Sequence, residues 1–249
     1  MSNVFKYTFE IYIKHFRAVL LFSLSFIIAL AMPLLAQLPT YMASGGIFLR
    51  LAGFYNNTSS MDLFVIVVGV MLSLLFLSFS IVAINVLVKH SRTYRGITEE
   101  VVKGLEKYTS KVFAILLLYM SFIVFPEFAA YYTIGHASAI AALLSLLLLP
   151  LFFYAPNSIV IDDSNIKYAI KNSFLFFIRK FHYFLLWITV AIILVFAFNF
   201  IFLMLAGSTS FTIALAKICM LVFNAVIIMP FLVILQSEIY MQRFPLLRG

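Results

Sequence analysis

The run "SNIKYAIKNSFLFFIRKFHYFLLW" (residues 164–187) changes character without a break. Its first two-thirds set Lys167, Lys171, Arg179 and Lys180 among aromatic residues at helical spacing, and its last third opens an apolar stretch that continues to 206. A basic amphipathic helix feeding an apolar run of about 20 residues is the pattern of one helix lying on a membrane and a second crossing it. The same pattern opens the chain. Setting "TFEIYIKHFRAVLLFSLSFII" (8–28) beside "SFLFFIRKFHYFLLWITVAII" (173–193) pairs Phe9 with Phe174, Ile13 with Ile178, Lys14 with Arg179, Phe16 with Phe181 and Leu20 with Leu185, without a gap. A looser copy, "ITEEVVKGLEKYTSKVFAILLLY" (97–119), carries Ile97, Val101, Leu105, Tyr108 and Val112 in the same rhythm. The expected unit is one cytoplasmic amphipathic helix plus one transmembrane hairpin, occurring three times in a single membrane domain, over about 1–90, 91–162 and 163–249.

Composition agrees with that reading. Of 249 residues, 65% are hydrophobic and 10% charged, against roughly 45 to 50% and about 25% in soluble domains. Six apolar runs, at 19–37, 63–89, 112–133, 138–160, 183–206 and 212–234, are each near the length that crosses a bilayer. They lack the alternation of a barrel strand, so the expected fold is an all-α integral membrane protein with six transmembrane helices. The single Cys219 excludes an intrachain disulfide.

Of the 17 Lys and Arg, all but Arg50 and Lys217 fall on one side of a six-span chain, which predicts a multi-pass protein with both termini cytoplasmic. The net charge of +8 therefore points to an anionic membrane surface rather than to nucleic acid. In the first segment Lys6, Lys14 and Arg17 oppose Phe5, Phe9, Tyr12 and Phe16; in the second Lys103, Lys107 and Lys111 follow Glu100; the third carries Lys167, Lys171, Arg179 and Lys180. These ten basic residues are the expected contacts to anionic headgroups, and anchoring of the spans accounts for the same pattern. Ser164 after Asp162 and Asp163 is the expected N-cap of the third segment. Near the N-terminus, Ala29 and Ala31 after an apolar run resemble a signal-peptide cleavage site, but the long aromatic lead and the repeat favour retention. The first external loop carries "NNTSS", where Asn56 and Asn57 each begin a glycosylation triplet; a polar turn is the simpler reading.

The stretch "APNSIVIDDSNIKYAIKNSFLFFIRKF" (155–181) resembles a family of six-span membrane proteins related to the membrane domain joined to some bacterial glycerophosphodiester phosphodiesterases. The residues that carry the likeness are Pro156, Asp162 or Asp163, Ala169, Ile170 and Ser173. The resemblance implies a shared fold, with no catalytic residue to carry over. No zinc-protease, hydrolase, P-loop or dinucleotide motif occurs, and His15, His90, His136 and His182 have no metal-ligand spacing, so neither an enzyme nor a cofactor is expected.

Two charges fall inside apolar runs. Glu127 precedes His136 by nine residues and Lys217 follows Ser210 by seven, which places both roughly 10 to 13 Å from the external ends of spans three and six. A charge at depth calls for a partner or water, so Glu127, Lys217, Asn199 and Asn224 are expected to line a polar cavity, or Glu127 and Lys217 to form an ion pair joining spans three and six, or Lys217 to snorkel to the surface on its own. Asn85, Asn157, Gln236 and Glu238 sit toward the inner ends of the even-numbered spans, where interhelical hydrogen bonds are expected. Pro126, Pro150 and Pro230 are candidate kinks. Two functions fit these features: a non-catalytic scaffold or accessory protein that organises lipid or a membrane protein partner, and, as the alternative, a small transporter or channel through a cavity at Glu127 and Lys217.

Overall fold

A computed structural model describes residues 2–35, 40–43, 46–49, 60–91, 97–134, 137–205 and 210–242. Among these the chain is helical apart from one hairpin. In order come α1 (Ser2–Lys14), α2 (Phe16–Leu35), β1 (Thr40–Ala43), β2 (Gly46–Leu49), α3 (Ser60–His90), α4 (Ile97–Ile134), α5 (Ala137–Phe152), α6 (Ala155–Ile161), α7 (Ile166–Arg179), α8 (Phe181–Leu205), α9 (Ser210–Phe223), a π-turn (Asn224–Ile228) and α10 (Met229–Met241). The strands pair antiparallel, Thr40 opposite Leu49 and Ala43 opposite Gly46, so the expected all-α fold has a small β exception in its first long loop. Asn56 and Asn57 lie outside the described residues.

Among the described residues five helical stretches are long and apolar enough to cross a membrane, or six if α1 and α2, bent by 89° at their junction, count as one. The pattern of exposure shows which solvent they suit. On α8, Ile193, Phe196 and Phe200 are 59, 64 and 60% exposed while Asn199 is 4% exposed. Apolar rings outside and an amide inside would be inverted in water, but in hydrocarbon the amide is the group that must find a protein partner. This is the architecture of a multi-pass helical membrane protein.

The first helix breaks at His15 and the later one at Lys180, the same position when 8–28 is set on 173–193. Burial agrees across the two stretches: Thr8 and Ser173, Ile11 and Phe176, and Val19 and Phe184 are buried, whereas the matched Phe9 and Phe174, Ile13 and Ile178, and Leu20 and Leu185 are exposed. The middle stretch departs from expectation, because α4 runs from Ile97 to Ile134 without a separate amphipathic helix, continuing through Pro126. It approaches α3 closely at Gly104. A Cβ on Gly104 would stand 2.5 Å from Val86 Cγ2, a separation that only glycine permits.

The interior is built where α3, α6 and α10 pack on one another. Their segments 82–88, 154–160 and 231–235 with 237–241 are buried on every side. Around them α1 packs on α10, α4 on α3 and α7 on α6. The fourth span is interrupted between α5 and α6 by a side chain inserted into its hydrogen-bond ladder. Tyr154 N–H donates to Ser173 Oγ (3.0 Å), and the Ser173 hydroxyl donates to Pro150 O (3.0 Å), the carbonyl that Tyr154 would reach directly in an unbroken helix. Pro156 lies in the first turn of α6, where its missing N–H costs no bond. Asn165, not the expected Ser164, is the N-cap residue of α7; the Ser164 hydroxyl instead turns back to Ser158 O at 2.9 Å. Asp163 adopts a positive φ of 53°, which lets the chain reverse sharply between α6 and α7.

Candidate functional site

The basic residues of the three segments lie mostly at the surface. Lys6, Lys14, Arg17, Lys103, Lys107, Lys167, Lys171, Arg179 and Lys180 are exposed, and Lys111 is half-buried. Their environments differ. Tyr108, 7% exposed, holds its ring beneath three ammonium groups, those of Lys107 at 5.1 Å, Lys89 at 5.7 Å and Lys111 at 6.0 Å from the centroid. Such contacts suit a ring whose face is electronegative. Lys107 is also ion-paired with Asp163, so part of its charge is neutralised within the protein. That hydrogen bond from Lys107 holds the Asp163 carboxyl below the usual carboxylate range. Lys89 Nζ donates to Val160 O at the end of α6 (2.7 Å), a cation at a helix C-terminus. Asp162 closes α6 and accepts from Tyr240 OH at 2.6 Å.

Beside this cluster Lys111 and Lys167, with Asn165, Ile166 and Tyr168, line a groove of about 380 Å³. Lys167 and Lys171 are one turn apart on α7, and Asn165 makes no side-chain cap bond to that helix. The groove thus brings Lys111, Lys167 and Asn165 together at the start of α7, over a lining that is mostly apolar. Sequence reading marked both lysines but missed Asn165 and Tyr168, because the groove forms between segments more than 50 residues apart in the chain.

Two of the deeper polar residues come together. Asn199 and Asn224 meet: Asn224 Nδ2 donates to Asn199 Oδ1 at 3.2 Å, both residues being buried. Lys217 does not join them but stands exposed on α9. The reason is the course of the buried stripe, Ala216, Met220, Asn224 and Ile228. Steps of four advance about 40° beyond each turn, so the face that is interior at Asn224 has rotated away from Lys217. Glu127 lies on α4, its side chain outside the described residues.

One turn before Lys89, Asn85 joins Asn157 and Ser237 in a fully buried polar knot. Asn157 Nδ2 donates to Asn85 Oδ1 (3.3 Å) and to Ser237 Oγ (2.9 Å), and Ser237 Oγ is also bonded to Asn85 Oδ1. One residue comes from each of α3, α6 and α10. Of the four polar residues singled out in the sequence, Asn85 and Asn157 meet; Gln236 reaches Phe153 O at 2.6 Å, and Glu238 is buried beside the knot. Ser237, sitting between those two, was the missed member, since a serine in an apolar helix ordinarily satisfies itself on its own backbone.

Among the described residues no cluster of His, Cys, Asp and Glu fits a metal ion. No family model, curated protein or solved structure matches the chain.

Proposed function

We propose that this chain is a non-catalytic membrane scaffold built from three copies of one unit, organising anionic lipid, and through it a membrane partner, at its basic end. The shared break at His15 and Lys180 supports the repeat, as do the three all-round buried segments and the cyclic order in which α4, α7 and α1 pack on the even-numbered span of the preceding unit. The likeness of 155–181 to the membrane domain of glycerophosphodiester phosphodiesterases joins this reading as a proposal of shared fold. In the structure those residues make a joint: Pro156 opens α6, Asp162 closes it and Ser173 bridges the break. With α2 across the bilayer and both termini cytoplasmic, the 89° bend lays α1 along the cytoplasmic surface.

The observation that carries the reading is the groove that Lys111 and Lys167 both line. Each basic residue near an anionic surface contributes roughly 1 kcal/mol. The Lys111→Gln/Lys167→Gln variant is therefore expected to lose about 2 kcal/mol, or roughly 30-fold, in affinity for a phosphatidylglycerol headgroup. Competition between phosphatidylglycerol and phosphatidylcholine for the detergent-solubilised protein, read by native mass spectrometry, measures this. Equal retention of both lipids by wild type and variant overturns the proposal.

The Asn199–Asn224 pair beside a π-turn favours a second reading, a small transporter or channel, since π-turns are frequent at functional sites. That reading requires solute or ion flux in proteoliposomes that Asn224→Leu abolishes.

A further inference from the structure

We infer that the outer halves of three spans hold one anionic phospholipid between them, its acyl chains against α3 and α5 and its phosphate on Lys217 of α9. This site is separate from the groove of Lys111 and Lys167.

The spans that pack tightly at one end part at the other. α3, α6 and α10 are in contact along their buried segments. Toward the end where α4 turns into α5 and α8 into α9, the helices α3, α5 and α9 make no extended contact with one another among the described residues. One face of α3 records the parting: Phe64, Val67, Met71, Leu74 and Ser78, spaced three or four apart, are 64, 53, 37, 7 and 0% exposed. On α5, Leu143 and Leu147 are exposed, whereas Asn157 and Ser158, further along the same span, are buried. α9 behaves alike, with Ile213 exposed and Met220 and Leu221 buried. Helices that close on one another in the inner half therefore bound an apolar wedge in the outer half.

The depth of the wedge matches lipid. From Phe64 to Leu74 is a step of ten residues, about 15 Å of helix, which is half the hydrocarbon thickness and so the depth of one leaflet. The wedge closes at Leu74, a taper that flexible chains fill and a rod about 10 Å across does not. Lys217 supplies the charge. It is exposed one turn outward of buried Leu221, and thus stands where α9 leaves the packed interior. Among the described residues it is the cation on these outer halves. α9 begins at Ser210, at the outer end, and side chains tilt toward the start of their helix, so the lysine stem lies along apolar surface and carries the ammonium toward headgroup depth. An ammonium beside hydrocarbon calls for a counter-charge. A phosphate with its own chains beneath it supplies the charge and fills the wedge together.

The test places bimane on Val67→Cys of the full chain in nanodiscs, with Cys219→Ser because Cys219 is the sole cysteine. Phosphatidylglycerol or phosphatidylcholine with brominated acyl chains, each diluted in ordinary phosphatidylcholine, quenches the label on contact. A label at exposed Phe196→Cys on α8 gives the response to bulk lipid. Val67 is 22 residues before Lys89 on α3, about 33 Å, so its label does not sense lipid at the groove of Lys111 and Lys167. Half-quenching at Val67→Cys is expected at about fivefold lower mole fraction of brominated phosphatidylglycerol than of brominated phosphatidylcholine, with no such preference at Phe196→Cys. Phe64→Cys, a second label site one turn outward, is expected to show the same preference. Lys217→Gln is expected to remove it, Lys217→Arg to keep it and Lys111→Gln/Lys167→Gln to leave it unchanged. Equal quenching by the two lipids at both wedge sites overturns the bound lipid and leaves ordinary bilayer there. Labels that neither lipid quenches overturn it in favour of a wedge filled by water or protein. A preference that survives Lys217→Gln overturns the lysine as the phosphate's partner.

Discussion

Replacing Ser173 by alanine tests the joint on which the fourth span turns. The hydroxyl is fully buried and serves two main-chain groups at once, accepting from Tyr154 N–H and donating to Pro150 O, each at 3.0 Å. Removing it leaves a buried donor and a buried acceptor, at about 1 to 3 kcal/mol each. The two groups are four residues apart and can partly close on one another, so the expected loss is about 2 to 4 kcal/mol. That is a sizeable share of the roughly 5 to 15 kcal/mol that separates folded from unfolded chains. Trp187 is the single tryptophan and sits beside the joint, its ring 4.9 Å from that of Phe153 and its indole N–H bonded to Leu232 O at 2.9 Å. Its fluorescence during titration of the neutral-detergent protein with dodecyl sulfate reports the unfolding midpoint. Ser121→Ala is the control, because among the described residues Ser121 bonds back to Leu117 O on its own helix (2.8 Å); its expected effect is within about 0.5 kcal/mol. Equal midpoints for the two variants would refute the account of the break as an inserted hydroxyl.

Asn157→Leu, at a position 1% exposed, strips donors from Asn85 and Ser237 and is expected to cost about 1 to 3 kcal/mol. Asn85→Leu/Asn157→Leu is expected to cost less than the two single changes summed, since neither amide is then left facing leucine; additivity in the same titration would contradict a shared knot. For Asp163, whose pKa is lowered in the folded protein chiefly by the Lys107 hydrogen bond, the stabilisation is fully present above the ordinary carboxylate pKa and fades as pH falls through the folded value. The gap in thermal midpoint between wild type and Asp163→Asn is therefore expected to shrink on acidification below the ordinary carboxylate range. Both partners are about half exposed, so added salt should narrow the gap too; a gap independent of pH and salt would assign the aspartate's effect to its positive φ instead.

The repeated basic-to-apolar transition was legible because the aligned residues Phe9, Ile13, Phe16 and Leu20, with Phe174, Ile178, Phe181 and Leu185, face outward. Lipid-facing positions in two such helices meet the same environment and accept the same residue types. The buried counterparts differ, Val19 against Phe184 and Ile11 against Phe176, because each packs on a different neighbour; burial at those places appears only in three dimensions. The deep site was half legible. Asn199 and Asn224 announce themselves as amides in apolar runs, and their meeting follows from the cost of an unsatisfied amide in hydrocarbon. Lys217 shares a face with Asn224 on a straight helix but stands exposed here, because the buried stripe drifts around α9 ahead of the π-turn.

Membrane-spanning character, the clustering of the basic residues and the places where polar groups need partners are decided by the sequence itself, because they follow from the cost of exposing particular groups to water or hydrocarbon. Which partners those groups find is decided only by the tertiary structure. Ser173 inserts into a ladder 19 residues earlier, Asn85, Asn157 and Ser237 converge from three helices, and Tyr12 reaches a carbonyl 215 residues away. Each depends on how the helices cross and where they break, and that is settled by packing between segments that local pattern leaves unrelated.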